Sequence, residues 1–169
     1  GYKATKHLIE NGRKKIALIT TPNHVNVGTL RRQGYEKALI EAYIKTDKNL
    51  IVEIDEKKDI KSQIEKVFKE DIDAVFAVNE IYAANSMRIA KEKGLSIPNE
   101  ISIIGFTDGL ISEYSSPSIT TIAQHGFTMG IQAVELLIER IENETEVYRP
   151  KKIVISSDLK IRESTKFSS

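Results

Sequence analysis

The chain has 169 residues, is 40% hydrophobic and 29% charged, and carries a formal net charge of +1. A nearly neutral chain is a poor candidate for a free-standing nucleic-acid-binding domain. It contains no cysteine, so disulfides and thiolate metal sites are excluded, and no apolar run approaches the roughly 20 residues that span a bilayer. We expect a cytoplasmic protein without a membrane partner. Because the sequence opens at Gly1 inside a predicted helix, with no visible signal peptide, we also expect a fragment.

Helical and strand-like segments alternate through the first two thirds of the chain. Apolar residues at helical spacing predict helices, and short apolar runs predict buried strands. The predicted helices are 3–11, 29–43, a helix that begins at 59 or 61 and ends at 70, and 81–93. The predicted strands are 16–19, 50–54, 74–78 and 101–104. This alternation predicts a parallel α/β sheet with right-handed crossovers. Continuously apolar strands favour a sheet that is covered on both faces.

The last third breaks this rhythm. We predict a polar loop over 109–118, a strand over 118–122, an amphipathic helix over 127–141, short strands at 153–155 and 159–161, and a fraying tail over 162–169. Ligands of parallel α/β sheets bind outside the carboxyl ends of the strands. That rule selects 20–28, 55–59, 79–82, 107–108 and 123–126 as the candidate binding surface.

Motifs of the common α/β enzymes are missing. The sequence has no glycine-rich dinucleotide or phosphate loop and no nucleophile elbow. His7, His24 and His125 lack the spacing of metal ligands. A response-regulator receiver needs acids after its first strand, where this chain has Thr20 and Thr21. We therefore expect no enzyme, no cofactor and no metal.

Four stretches of the chain carry motifs that occur in a fixed order. They are ATKHLIENGRKKIALIT, LRRQGYEKAL, DAVFAVNEIYAANSMRIAKEKGLSIPNEISIIGFTD and SPSITTIAQHGFTMGIQAVELLIERIE. The third is the most diagnostic, because it contains a strand, Asn-Glu, a helix, Gly-Leu-x-x-Pro and a strand that ends in Gly-Phe. Together the four stretches resemble the effector-binding core of LacI/GalR transcription regulators. The resemblance extends over essentially 1–165 and implies a periplasmic-binding-protein-like type I fold.

Such cores have two α/β subdomains joined by three crossovers, with the effector in the cleft between them. The resemblance implies that 1–122 is the C-terminal subdomain. Segment 123–157 would be a crossover with a helix and a strand of the N-terminal subdomain, and 158–169 a return strand and tail. The helix-turn-helix, through which such regulators bind DNA, would be absent from this chain. In that case the 127–141 helix has lost its own sheet.

The resemblance also implies effector-binding residues. Each has a purely structural alternative: a surface ion pair for an arginine, a helix N-cap for Asn79, a turn for Asp108 and a backbone contact for Gln124. Most relatives place an acid where this chain has Thr107, so either Asp108 turns inward or the effector meets a neutral hydroxyl. The candidates are Arg31, Asn79, Thr107, Asp108, Gln124 and, on the first loop, His24.

Relatives also dimerise through this subdomain. By resemblance we expect a two-fold contact, with simple core packing as the alternative. The candidates are Tyr82, Ser86, Leu110, Ile111 and Tyr114. We expect a homodimeric sensor that binds a sugar or sugar derivative and so modulates operator binding. The alternative is a periplasmic sugar-binding protein that serves a transporter.

Overall fold

A six-stranded sheet forms the centre of the computed structural model, which describes residues 1–22, 26–142 and 150–167. The strand order is β2-β1-β3-β4-β5-β6, parallel except for β6, which pairs antiparallel to β5. The strands are β1 (Ile16–Thr20), β2 (Ile51–Glu53), β3 (Ala74–Ala77), β4 (Ser102–Phe106), β5 (Thr120–Ala123) and β6 (Asp158–Lys160).

The four central strands are buried at every position. A strand presents alternate side chains to opposite faces, so complete burial means that both faces of the sheet are covered. α1 (Tyr2–Glu10) packs on α2 (Asn26–Glu41), while α4 (Glu80–Glu92) packs on α3 (Ile60–Ile64) and on α5 (Leu110–Tyr114). The predicted three-layer α/β fold is confirmed.

Glycines in the left-handed region stop two of the helices. Gly12 follows α1 with φ +83°, and Gly94 follows α4 with φ +74°. Other residue types pay a steric penalty in this conformation. The two helices therefore end close to where the sequence predicts, whereas the predicted helix over 59–70 divides into α3 and a 3-10 turn, Val67–Lys69.

The predicted loop over 109–118 contains α5, which is a correction. The Glu80 side chain caps this helix from α4: its Oε1 accepts hydrogen bonds from the backbone N–H groups of Gly109 and Ser112, both at 2.9 Å. A carboxylate at a helix N-terminus satisfies free N–H groups and complements the helix dipole. The capping group lies about 30 positions upstream, so the local sequence contains no signal for the helix.

The tail is anchored, contrary to the predicted fraying. A 3-10 turn, Glu163–Thr165, follows β6, and Ser164 and Thr165 are fully buried. Ser164 Oγ donates to the Ile103 carbonyl at 2.5 Å and accepts from Thr120 N–H at 2.8 Å. The hydroxyls of Thr165 and Thr120 lie 2.7 Å apart. These bonds lock the tail onto β4 and β5.

Asp108 binds the return strand to the sheet. Its carboxylate accepts hydrogen bonds from Arg162 at 2.6 Å and Thr121 at 3.0 Å, and it forms an ion pair with Lys160. Only 15% of the Asp108 side chain and 18% of the Arg162 side chain are exposed. Burial raises the pKa of Asp108, but the bonds from Lys160, Arg162 and Thr121 outweigh it and lower the pKa from 3.8 to about 2. We call these four residues the Asp108 anchor.

Helix α6 (Gly126–Glu142) has no buried residue. Most of its apolar side chains are exposed, and no strand in the described part of the chain covers them. They include Phe127, Met129, Ile131, Val134, Leu137, Ile138 and Ile141. The prediction of a strand at 153–155 is wrong, because these residues pair with no strand that the structure describes. None of the described helices is both long and apolar enough to cross a bilayer.

The tail anchor is tested by Ser164→Ala. The change leaves a buried N–H and a buried carbonyl without their partner, which costs about 2–4 kcal/mol of unfolding free energy. Urea denaturation measures this loss. Ser156→Ala is the matched control because Ser156 is exposed. Equal stability of the two variants would contradict the anchoring role.

The pH dependence of stability tests the Asp108 anchor. A folded-state pKa near 2, below the ordinary 3.8, means that the carboxylate stabilises the fold fully above about pH 5 and loses this contribution as pH falls through 2. The stability difference between wild type and Asp108→Asn should shrink by about 2 kcal/mol between pH 5 and pH 2. Urea midpoints across that range give the difference, and a constant difference would refute the assignment.

Candidate functional site

A cavity of about 350 Å³ opens at the carboxyl edge of the sheet, where the ends of β4 and β5 meet α2 and α6. Its volume lies within the range of small-molecule sites. The lining is mostly apolar, with a small number of polar groups. The lining residues are Gly1, Val27, Leu30, Arg31, Phe106, Gln124, Met129, Ile155 and Ser157.

Arg31 provides the charge in this lining. From α2, one guanidinium nitrogen donates to the Val78 carbonyl at 2.5 Å and another to Gln124 Oε1 at 3.4 Å. The guanidinium carbon lies 3.8 Å from the centroid of the Phe106 ring, a cation–π contact. Burial lowers the pKa of Arg31, but a guanidinium stays protonated in proteins. The side chain is thus a fixed, half-buried cation.

Gln124 and Thr107 extend this arrangement. Gln124 Nε2 donates to Thr107 Oγ1 at 2.8 Å, so the amide bridges the guanidinium and the hydroxyl. Thr107 has φ +80°, and its N–H donates to the Ile122 carbonyl at 3.0 Å. A β-branched residue in this region is strained by about 1–3 kcal/mol, and such strain concentrates at functional sites. Arg31, Gln124 and Thr107 therefore form one continuous polar row, which we call the Arg31 row.

The other candidates lie apart from the Arg31 row. Asn79 is the N-cap of α4, and its Oδ1 accepts from Tyr82 N–H at 2.8 Å. Its structural alternative is therefore present in the molecule, and the Asn79 side chain also hydrogen-bonds to the side chain of Tyr82. Asp108 points to Arg162 rather than into the cavity. His24 lies outside the described residues.

Phe106 is a site residue that the sequence reasoning missed. It is the last residue of β4, directly before Thr107, and it is nearly buried beneath the Arg31 guanidinium. An aromatic residue at the carboxyl end of a strand was the available signal. A second feature is the contact between His125 Nε2 and Asp158 Oδ2, at 2.8 Å. It joins the segment that leaves β5 to the segment that enters β6.

The predicted dimer residues fall into two groups. Tyr82 and Ser86 are fully buried, which corrects their assignment to a surface contact. Tyr82 donates its hydroxyl hydrogen to Glu56 at 2.9 Å, and burial and this bond raise its pKa to about 12. Leu110, Ile111 and Tyr114 on α5 are exposed, at 70% for Leu110 and 77% for Tyr114. Only the α5 residues can meet a second chain without rearrangement.

The described residues contain no group of three or more His, Asp and Glu side chains that could hold a metal ion. The polar atoms at the cavity are instead donors and neutral acceptors. This arrangement suits ligand recognition by hydrogen bonds and charge.

Comparison with known proteins gives consistent matches. Residues 5–165 match the family described as periplasmic binding protein-like domain. The chain is 37% identical to a protein named HTH-type transcriptional repressor PurR from Histophilus somni, over 98% of the chain and 50% of that protein. The chain thus spans about half the length of this curated relative.

Solved structures of transcription regulators are also similar to this chain. A structure described as the transcriptional regulator CelR-cellobiose complex is 30% identical, with a TM-score of 0.88, and the match includes 96% of this chain and 50% of that one. A LacI-family regulatory protein from Chloroflexus aggregans is 26% identical, with a TM-score of 0.86, over 96% of this chain and 59% of that one. The resemblance of the sequence motifs to LacI/GalR regulators is confirmed, and the chain belongs to the family of periplasmic binding protein-like domains.

Proposed function

We propose that the chain is the ligand-sensing half of a LacI-type transcription regulator and binds a small, sugar-like effector at the carboxyl edge of its sheet. The observation that carries the proposal is the Arg31 row, in which Arg31 and Gln124 line a cavity at this edge and Thr107 is hydrogen-bonded to Gln124. Pre-oriented polar groups in a mostly apolar cavity are what small-ligand recognition requires. The relatives named as regulators support this choice over a periplasmic sugar-binding protein.

We propose that the chain divides into one wall of an effector cleft and the segments that cross to the other wall and return. Residues 1–122 would form one wall of an effector cleft, 123–157 would cross to the other wall, and 158–169 would return. The exposed apolar face of α6 supports this division, because such a helix needs a sheet to cover it. The remaining part of the second wall and the DNA-binding domain would lie outside this chain, consistent with its net charge of +1.

Effector binding would act by shifting the relative position of the two walls. A ligand that contacts both walls binds the closed arrangement more tightly and so favours it. The contact between His125 and Asp158 ties the outgoing and returning crossovers together, so a change at the cavity would move both. The coupling between the effector and DNA is then a difference in affinity between two arrangements. Such a regulator would act in the cytoplasm.

We further propose that α5 belongs to a homodimer contact. Leu110, Ile111 and Tyr114 expose apolar surface on a helix that Glu80 holds in place. Aromatic residues are enriched in such interfaces, and a two-fold contact presents the same surface from both copies.

Regulator function is tested on the full-length product of the gene that encodes this chain. The protein should select a two-fold symmetric DNA site from genomic fragments, and an effector should change its DNA affinity about 5- to 150-fold. Gel-shift titrations with a panel of sugars and sugar derivatives measure this change. Absence of sequence-specific DNA binding, or ligand binding that leaves DNA affinity unchanged, would reject the proposal.

The dimer contact is tested by Tyr114→Asp. A two-fold contact would bury the introduced carboxylate of both copies in apolar surroundings. The variant should therefore sediment as a monomer at concentrations where wild type is a dimer. Sedimentation velocity gives the masses. Tyr43→Asp is the matched control because Tyr43 is 99% exposed and lies outside α5. A Tyr114→Asp protein that remains dimeric would remove α5 from the interface.

A further inference from the structure

We infer that the effector carries an anionic group, a carboxylate or a phosphate, that binds the Arg31 guanidinium. The inference rests on the proposed function, because it names the chemical class of ligand that this cavity accepts. It follows from two observations: the contacts of the Arg31 guanidinium, and the partners that bind the acidic side chains near the carboxyl edge of the sheet.

The first observation is that every contact of Arg31 is with a neutral group. The described residues supply it with a carbonyl from Val78, an amide oxygen from Gln124 and the ring of Phe106. No carboxylate in the described part of the chain forms an ion pair with it. Two of its five N–H groups are used, and the remaining donors are available to a ligand.

The second observation is that the nearby acids are engaged elsewhere. Asp108 is held by Arg162, Thr121 and Lys160 in the Asp108 anchor. Glu53, the last residue of β2, pairs with Arg32. Beyond it, Asp55 pairs with Lys58, and Glu56 accepts a hydrogen bond from Tyr82. Glu80 caps α5. The lining residues that the structure describes include no Asp or Glu.

Each neutral acceptor of the Arg31 row already accepts one hydrogen bond from within the row. Gln124 Oε1 accepts from Arg31, and Thr107 Oγ1 accepts from Gln124. A neutral polyol brings many hydroxyl donors, and carboxylates are the strongest acceptors for them. This wall offers such a ligand no free carboxylate. It offers an anion a planar fork of guanidinium donors.

Closure of a second wall over the cavity would remove the Arg31 guanidinium from water. Removing an unpaired guanidinium from water is costly, whereas a bidentate anion compensates for the charge. The cavity of about 350 Å³ and its side chains Val27, Leu30 and Met129 suit a ligand of monosaccharide size with one charged end. A sugar acid or a sugar phosphate combines these properties.

The test uses matched ligands and the full-length protein. Glucose and galactose are compared with glucuronate, galacturonate and the two 6-phosphates by calorimetry, at low and high NaCl. We expect the best charged ligand to bind at least about tenfold more tightly than its neutral parent, with an advantage that shrinks as salt rises. The uronate and phosphate arms distinguish the two kinds of anion. A neutral parent that binds as tightly as its charged derivatives would overturn the inference.

Arg31→Met and Arg32→Met form the matched pair of variants. Arg32 is on the same helix turn, but its guanidinium is paired with Glu36 and Glu53. The first change should abolish the preference for the charged ligand, and the second should retain it. Thermal stability without ligand is measured for both variants, so that a folding defect is separated from a binding defect. Retained preference in Arg31→Met would overturn the inference.

Inorganic phosphate provides a probe that does not depend on sugar stereochemistry. Millimolar phosphate should raise the melting temperature of wild type and of Arg32→Met above that of matched chloride controls, but not that of Arg31→Met. An equal response of all three proteins, or no response in any, would overturn the inference. Regulator function would remain intact if a neutral sugar changed DNA affinity, so the two failures are distinguishable.

Discussion

The Asp108 anchor is the interaction on which both the fold and the cavity depend. It joins the loop after β4 to β5 and β6, so the return strand and the buried tail are held against the parallel sheet. The same contacts hold the Asp108 carboxylate away from the cavity at the carboxyl edge of the sheet. A partly buried carboxylate with three donors is stable where it lies. The neighbours of Asp108 therefore keep its carboxylate away from the cavity.

Because the Asp108 carboxylate is held elsewhere, the Arg31 row supplies the polar groups at this edge of the sheet. With Asp108 withdrawn, Thr107 presents a neutral hydroxyl, and Gln124 links it to Arg31. The strained backbone of Thr107 is maintained by its bond to the Ile122 carbonyl and by the adjoining strands. The wall is consequently positive and rich in donors. A regulator built on this wall would discriminate ligands by charge as well as by shape.

Helix α6 and α5 each expose apolar surface for a different reason. α6 follows the outgoing crossover and has no sheet to cover it, which is consistent with a chain that spans about half of its relatives. α5 is held on the main subdomain by Glu80, and its outward side chains are free for a second copy. Under the proposed function, the two surfaces would serve different contacts, α6 with the second wall of the cleft and α5 with a partner subunit.

The sequence by itself determined the alternating α/β order, the four buried strands, the helix stops at Gly12 and Gly94, and the motifs that indicate the family. These depend on local periodicity and backbone preference. The sheet-edge rule also placed Thr107 and Gln124 at one edge, and the family resemblance added Arg31. Only the tertiary structure decided that Asp108 turns away, that α5 forms, that the tail is anchored and that Tyr82 and Ser86 are buried. Those outcomes depend on contacts between distant positions, such as Asp108 and Arg162, which are 54 residues apart. No local pattern encodes them.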